Sequence, residues 1–412
     1  MRLWSGFEPL RERRYRLLFG SRTVSTFGGT MADVALAFAV LSIGGPTELG
    51  LVILAREIPL VVLLLLGGVW SDRLPRHLVL VSSDVVRGVA QAGTAALLLT
   101  GNATVLAIAL LQVFYGAVNA FGRPAYQGLV PQVVGTGRLQ QANALIGLST
   151  STVAVAGPAL GAVLVAAAAP GWALAVDALT FAVSAALLVR LDLPRALRLS
   201  GQSVLADFRE GWREFTSRSW LVAIVASFAF FQLTYFPALL VLGPYVAKTQ
   251  LGGPGAWGTI LAAAAAGSLL GGLTALRVHF SRPLVATLLL VVPPGIQVVL
   301  LGLGAPLWVI TVVAFVSGAG FAFGNAVWFS TLQEKIPQNA ISRISSFDWF
   351  GSVALNPIGY ALIGPMSTVI GVGQSLVLAG ALNLTFTFAM LAIPSVRALR
   401  AGPEHRSALD PG

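Results

Sequence analysis

The chain is divided into about twelve apolar stretches of roughly 20 residues each, the length needed to cross a hydrocarbon core of about 30 Å. Charged residues fall at the breaks between these stretches or at rare islands inside them. In lipid a single segment can satisfy its own backbone hydrogen bonds only as a helix. The pattern therefore predicts an all-α membrane protein with spans at 17–43, 48–70, 77–100, 103–122, 140–167, 171–191, 219–247, 255–276, 283–304, 306–331, 342–369 and 373–396. Composition agrees. Of 412 residues 56% are hydrophobic and 10% charged, where a soluble domain carries about 25% charge.

The basic residues mark alternate breaks. Arg73 and Arg76 follow the second span, Arg123 and Arg138 the fourth, Arg277 and Arg282 the eighth, and Lys335 the tenth. The longest break holds Arg195, Arg198, Arg209, Arg213 and Arg218. The short breaks near 45, 101, 169, 305 and 371 hold no Lys or Arg, and the one near 250 holds only Lys248. By the positive-inside rule both termini and the central loop are cytoplasmic. The N-terminal arginines are not followed by a short apolar region with a small-residue cleavage site, so no cleavable signal is expected. The arginine-, alanine- and glycine-rich composition points to the cytoplasmic membrane of a bacterium.

Several function classes drop out. The chain has no cysteine, and His77, His279 and His405 lie in loops or the tail, so no metal site is expected. The two lysines, Lys248 and Lys335, sit in no GxxxxGK[ST] loop, so no ATP site or other cofactor is expected. The +10 net charge is scattered over short loops rather than gathered in a stripe, which argues against nucleic acid. A membrane-embedded enzyme acting on lipid would need a His, Cys or carboxylate constellation at depth, and none is evident.

The central loop separates six spans from six: residues 1–191, a loop at 192–218, and residues 219–412. Within the loop, Val204, Phe208, Trp212 and Phe215 fall at helical spacings, with Arg209, Glu210, Arg213 and Glu214 on other faces, as in a helix lying on the membrane surface; a plain linker helix is the alternative reading. The halves share a repeat. Asn119-Ala120, Gln127 and Pro131 recur as Asn325-Ala326, Gln333 and Pro337, at an offset of 206 residues. Two related six-helix bundles form a transporter architecture.

Gly68, Asp72, Arg73, Arg76 and His77, after the second span, resemble the G-x-x-x-D-R-x-x-R-[RK] loop of the major facilitator superfamily, with His77 in the final basic position. The resemblance implies the twelve-helix major facilitator fold and a gating role for Gly68, Asp72, Arg73 and Arg76. Gly157, Pro158 and Gly161 look like part of the antiporter motif of the superfamily's exporters, with Val153 and Ala162 replacing two of its glycines. Tight packing by small residues is the alternative reading. The run Phe121-Gly122-Arg123-Pro124-Ala125, then Gln127 and Pro131, resembles the branch that includes the enterobactin exporter and macrolide efflux proteins. Pro59, Asp84 and Arg87 also fit it. Where proton-coupled drug antiporters carry R-x-x-x-G in span four, this chain has Gln112 and Gly116.

Charged residues inside the spans cost about 2.5–3.5 kcal/mol each at a helix centre, so each needs a reason. Asp84 and Arg87, spaced i,i+3, are expected to pair. Arg56 and Glu57 point to different sides of one helix. Asp177 and Asp348 are read as lying near a membrane face. Arg22, Thr26, Thr30 and Asp33 make one polar stripe on the first span. Asp33 is the candidate proton or cation site, or else the partner of Arg56 or Arg22. In the superfamily fold spans one, four, seven and ten line the cavity. That implies Thr26, Thr30, Gln112, Tyr115, Asn119, Phe231, Gln232, Tyr235, Asn325 and Trp328 as lining residues for a bulky amphipathic ligand. The expectation is a monomeric secondary transporter in a lipid bilayer that exchanges protons for export of a hydrophobic or amphipathic small molecule. An uptake permease of the same fold is the alternative. A reporter fused after Gly101 should be outside the membrane and one fused near Gly201 inside. Finding both on one side would refute the alternation of basic breaks as a guide to topology.

Overall fold

The computed structural model describes residues 5–71, 75–134, 138–191, 212–278, 280–336 and 338–401. Among them there is no strand. The long helices in the first half are α1 (Arg13–Ile43), α2 (Pro46–Ser71), α3 (Arg76–Leu99), α4 (Val105–Val133), α5 (Leu139–Ala167) and α6 (Pro170–Val189). In the second half they are α7 (Ser219–Gln250), α8 (Pro254–Ala275), α9 (Pro283–Gly302) and α10 (Leu307–Lys335). Then come α11 (Gln338–Val353, continued by Asn356–Ile370) and α12 (Val372–Leu391).

Ten helices among the described residues are long and apolar enough to cross a membrane. The other two, α2 and α3, have 26 and 24 residues. At 1.5 Å per residue both exceed a core of about 30 Å. Several helices overrun the apolar stretches. α4 continues eleven residues past 122, through Pro124 and Pro131, because hydropathy marks where lipid ends rather than where a helix does. Prolines set the irregularities. Pro237 precedes a widened turn at Ala238–Leu242 in α7. α9 is interrupted at Val291, just before Pro293 and Pro294, and α11 breaks ahead of Pro357.

Contacts gather the described residues into two compact units. The first holds α1 to α6 together with residues 247–262, and the second holds residues 212–246 and 263–401. In the first, α1 packs on α5 and α6, α3 on α4 and α6, and α2 on α4. A buried knot near the ends of α1, α3, α4, α5 and α6 includes Tyr15, Leu18, Leu80, Tyr126, Leu129 and Val130. The Tyr15 hydroxyl donates to the Ala142 carbonyl at 2.8 Å. Lys248 Nζ donates to the Leu41 carbonyl, a cation at the C-terminal end of α1 where the helix dipole favours it.

In the second unit α9 packs on α10 and α12, and α7 on α11 and α12. Its knot includes Leu221, Ile224, Leu284, Trp328, Leu332 and Ile336. Leu332 and Ile336 stand 206 residues after Tyr126 and Val130, so the repeat offset puts corresponding positions into corresponding cores. Of the central-loop helix only 212–216 lies within the described residues. That turn differs from the surface-helix expectation. Phe215 is buried in the knot, and Trp212 and Phe215 both contact Phe347 of α11, with ring centroids 5.7 and 6.0 Å away. Phe215 is taken up by protein, while Trp212 keeps about half of its surface exposed, 52%.

The tight turns at Gly101, Gly304 and Gly371 use positive φ values of 74°, 71° and 87°. Glycine adopts these freely. At the equivalent α5–α6 turn the chain has Ala169 instead, at φ 117° and ψ 153°. A side chain there costs about 1–3 kcal/mol. Ala169→Gly should therefore stabilise the protein by about 1 kcal/mol, and Ala169→Val should destabilise it. Thermal unfolding in detergent measures both, and a lower midpoint for the glycine variant would contradict the strain argument.

Candidate functional site

Polar side chains in the first unit form two joined clusters, and α3 and α6 supply the frame. On α3, Asp84, Arg87 and Gln91 occupy one face at i, i+3 and i+7. On α6, Asp177, Thr180 and Ser184 do the same. The helices run antiparallel, so the faces meet end to end. Ser184 Oγ donates to Asp84, and 86 residues apart in sequence Gln91 Nε2 donates to Asp177 Oδ2 at 2.7 Å. Arg87 pairs with Asp84 on its own helix, and its guanidinium lies 4.6 Å from the Phe181 ring centre. Thr180 Oγ1 is 3.2 Å from Asp177 Oδ1. From α4, Gln112 Nε2 donates to Gln91 Oε1 at 3.4 Å.

This arrangement corrects two expectations. Asp177 is not near a hydrated face: it is fully buried. Gln112 is not on an open cavity wall either, since it is also fully buried and ends the amide chain. The sequence reading missed Gln91 and the Asp177 network. The signal was available in the matching seven-residue polar faces of α3 and α6.

The second cluster joins α1, α2 and α4. Arg56 Nη1 donates to Asp33 Oδ1 at 2.8 Å, with the Asp33 side chain 57% exposed and that of Arg56 22%. The Arg56 guanidinium lies 4.6 Å from the Tyr115 ring centre, and Tyr115 meets Phe181 edge-on at 6.0 Å. Gly116 makes this possible. A Cβ there would overlap the carbonyl of Arg56, so α4 and α2 touch backbone to backbone. Of the two partners considered for Asp33, the structure has Arg56. Glu57 is half-buried beside it.

The polar stripe of α1 divides as the helix turns. Arg22 and Thr26 face a small cavity shared with Tyr126, Ser149 and Thr150. Arg22 also borders an adjoining cleft of about 550 Å³ with Tyr126, Asn143, Ile146 and Thr150. Its guanidinium lies 5.1 Å from the Tyr126 ring centre. Thr30 instead sits beneath α5. A Cβ on Gly157 would strike its side chain, and one on Gly161 would strike the Met31 carbonyl. The glycines flanking Pro158 thus act here as a close helix contact. Asn119 is half-buried on α4. Asp72 and Arg73 of the gating motif lie outside the described residues, while Gly68 is near the end of α2 and Arg76 begins α3.

In the second unit the predicted aromatics form a packed shelf. Phe231 stacks on Tyr235 at 4.7 Å and on Phe321 at 5.5 Å. The Tyr235 hydroxyl donates to Gln297 Oε1 at 3.2 Å. Phe231 and Tyr235, like Tyr115 in the first unit, are buried, so these expected lining residues are not on an open cavity wall. Gln232 is half-buried, with an oxygen that has no partner among the described residues. Asn325 Nδ2 donates to the Phe321 carbonyl at 3.0 Å. Trp328 is a correction. It is 2% exposed within the knot, and its Nε1 donates to Asp348 Oδ2 at 3.2 Å. Asp348, expected near a membrane face, is buried by the same contact.

The family profile described as transmembrane secretion effector, a major facilitator family, matches residues 4–407. The chain belongs to that family. It is 26% identical to the enterobactin exporter EntS of Escherichia coli (strain SMS-3-5 / SECEC) over 96% of this chain and 95% of the relative. It is 27% identical to the enterobactin exporter EntS of Shigella flexneri with the same coverage. Among solved structures it resembles the nucleoside transporter NupG, with a TM-score of 0.72 at 12% identity, covering 92% of this chain and 98% of that one. It also resembles a bacterial homologue of the iron transporter ferroportin in an inward-facing state, with a TM-score of 0.70 at 16% identity, covering 92% and 99%. The likenesses to solved structures give the fold, and the family match makes the protein a multi-pass major facilitator transporter.

The Asp33–Arg56 contact can be tested with a double-mutant cycle. Asp33→Asn and Arg56→Gln should each slow transport, Arg56→Gln more, because it also removes the stack on Tyr115. The double variant should recover part of the loss, with a coupling of about 1 kcal/mol or less given the exposure of Asp33. Strictly additive losses in the transport rate would show that the pair has no functional coupling.

Proposed function

We propose that this transporter exports a hydrophobic or amphipathic small molecule across a bacterial cytoplasmic membrane in exchange for protons. The likeness to enterobactin exporters, which runs over nearly the whole chain, carries the reading. In this reading the chain has twelve spans with both termini cytoplasmic. It alternates between states open to either side, as one protein, with the motif at Gly68, Asp72, Arg73 and Arg76 as a cytoplasmic gate. The Arg22 and Tyr126 cleft supports a ligand with an aromatic part and a negatively charged or strongly polar part. A guanidinium held over a ring offers one face to a π-system and its N–H edge to an oxygen anion.

Everted membrane vesicles and counterflow in proteoliposomes test this directly, with a panel that includes enterobactin, a macrolide and a neutral lipophilic dye. The expected result is accumulation of at least one amphipathic compound in everted vesicles, abolished by a protonophore. Arg22→Gln should weaken transport of an anionic member more than that of the neutral dye. Accumulation only in right-side-out vesicles would overturn export in favour of uptake.

A further inference from the structure

Asp177, like Asp348, lacks the cationic partner that Asp33 and Asp84 have, and it differs from Asp348 in having donors on both carboxyl oxygens and a second amide beyond its donor. Asp33 has Arg56, Asp84 has Arg87, and Asp348 keeps a single indole donor. Asp177 is fully buried, and its hydrogen-bond donors are neutral: the Gln91 amide and the Thr180 hydroxyl. No cation is within ion-pair distance of it among the described residues. A charge buried among neutral donors is expensive, and the packing around it is tight. A Cβ on Gly28 would collide with both Asp177 and Thr180, so α1 lies with bare backbone against this carboxyl. A metal cation would need a shell of oxygens that these neighbours do not supply. A proton needs none.

We propose that Asp177 is the proton-binding residue of the transport cycle, and that the Gln91–Gln112 amide chain transmits its protonation from α6 to α4. The proposal rests on the proton-exchange reading above and names its site. In the charged form Asp177 accepts from Gln91 Nε2, and Gln91 Oε1 accepts from Gln112 Nε2. A neutral carboxyl keeps one acceptor oxygen, so the switch requires the proton on Oδ2, the oxygen that Gln91 faces. When a proton from the more acidic side forms the O–H bond there, that oxygen becomes a donor and Gln91 turns its amide to present Oε1. That aims Gln91 Nε2 at Gln112, which turns in its own right to present its oxygen. The Gln112 oxygen has no partner in the present arrangement, so it is available for this exchange. Loss of the proton to the other side reverses both turns, and the proton count balances over a cycle.

The readout lies at a sensitive point. Gln112 is one turn from Tyr115 and Gly116, the residues that hold Arg56 and through it Asp33. The titratable and charged groups around Asp177 are few. They are Asp33 on α1, Arg56 on α2, Asp84 and Arg87 on α3, and Tyr115 on α4. α5 contributes none. Asp33 and Arg87 act on Asp177 with opposite signs, and each is committed to a partner of its own.

Infrared difference spectroscopy of the purified protein, titrated from acid to alkaline pH with no ligand, tests the assignment. Wild type should show a carboxylic-acid carbonyl band that titrates, and the band should vanish in Asp177→Asn and persist in Asp33→Asn. A band that survives Asp177→Asn, or no titrating band at all, overturns the proposal. In proteoliposomes, Asp177→Asn should lose accumulation driven by a pH gradient in far greater proportion than counterflow of the same panel compound. Undiminished accumulation with wild-type pH dependence overturns the assignment while leaving proton coupling intact. A titrating Asp177 in a wild-type protein that a pH gradient does not drive overturns proton coupling instead. Gln91→Leu guards against misfolding of the first variant. It keeps the carboxyl but removes a donor that favours the charged form, so the proton is released at higher pH and the transport profile moves in the alkaline direction. An unchanged profile there counts against the relay.

Discussion

Hydrocarbon offers no hydrogen bonds, and most of this structure follows from that. Each backbone must close its bonds within its own helix, so the described chain is helical through its apolar stretches apart from the single turns at Val291 and at 354–355. Each polar side chain at depth must find a partner on a neighbour or on its own helix. The α3–α6 pairing is the clearest consequence. Two polar faces that would be costly against lipid are matched along antiparallel helices, Asp84 to Ser184 and Gln91 to Asp177. The matching fixes both the rotation and the register of α3 against α6, which packing of Ala, Val and Leu alone would leave loosely defined.

Without a hydrophobic driving force between helices in lipid, close approach depends on small residues. Gly116 against Arg56, Gly28 against Asp177, and Gly157 and Gly161 against Thr30 and Met31 bring backbones together where a side chain would hold them apart. In the second unit Gly267, Gly271 and Gly318 do the same between α8 and α10. In the first unit these contacts coincide with the polar clusters. The same glycines that let helices touch also bring ionisable groups from four helices within a short chain of contacts.

Much of this was legible in the sequence. Helix class, the rough positions of the helices and the i,i+3 pairing of Asp84 and Arg87 come from spacing alone, because length and periodicity are local properties. Helix ends were less legible, since α4 runs on past its apolar stretch and a proline can sit within a helix as well as stop it. The site was readable in part. Asp33 was marked by its polar stripe, but its choice of Arg56 over Arg22 depends on how α2 approaches α1, and no spacing within α1 encodes that. Asp177 and Asp348 were placed near water by their distance along a helix, and Gln112 and Trp328 on a cavity wall by their span, whereas the neighbouring helix decides what a side chain meets.

The two carboxylates nearest one another in function have opposite surroundings. Asp33 is more than half exposed and held by a guanidinium, which stabilises its charge and lets it exchange partners with water or ligand at modest cost. Asp177 is sealed from solvent with neutral donors, so a change in its charge cannot be absorbed by solvent and must be met by rearrangement of the amides around it. Tyr115 and Gly116 stand between them, under Arg56 and one turn from Gln112. Exposed and buried ionisable groups are thus linked through one packed helix, and in the proposed cycle contact at the surface and proton occupancy in the interior bear on the same backbone. In the proton exchange proposed above, the energetic difference between the two sites, rather than either residue alone, is the physical basis.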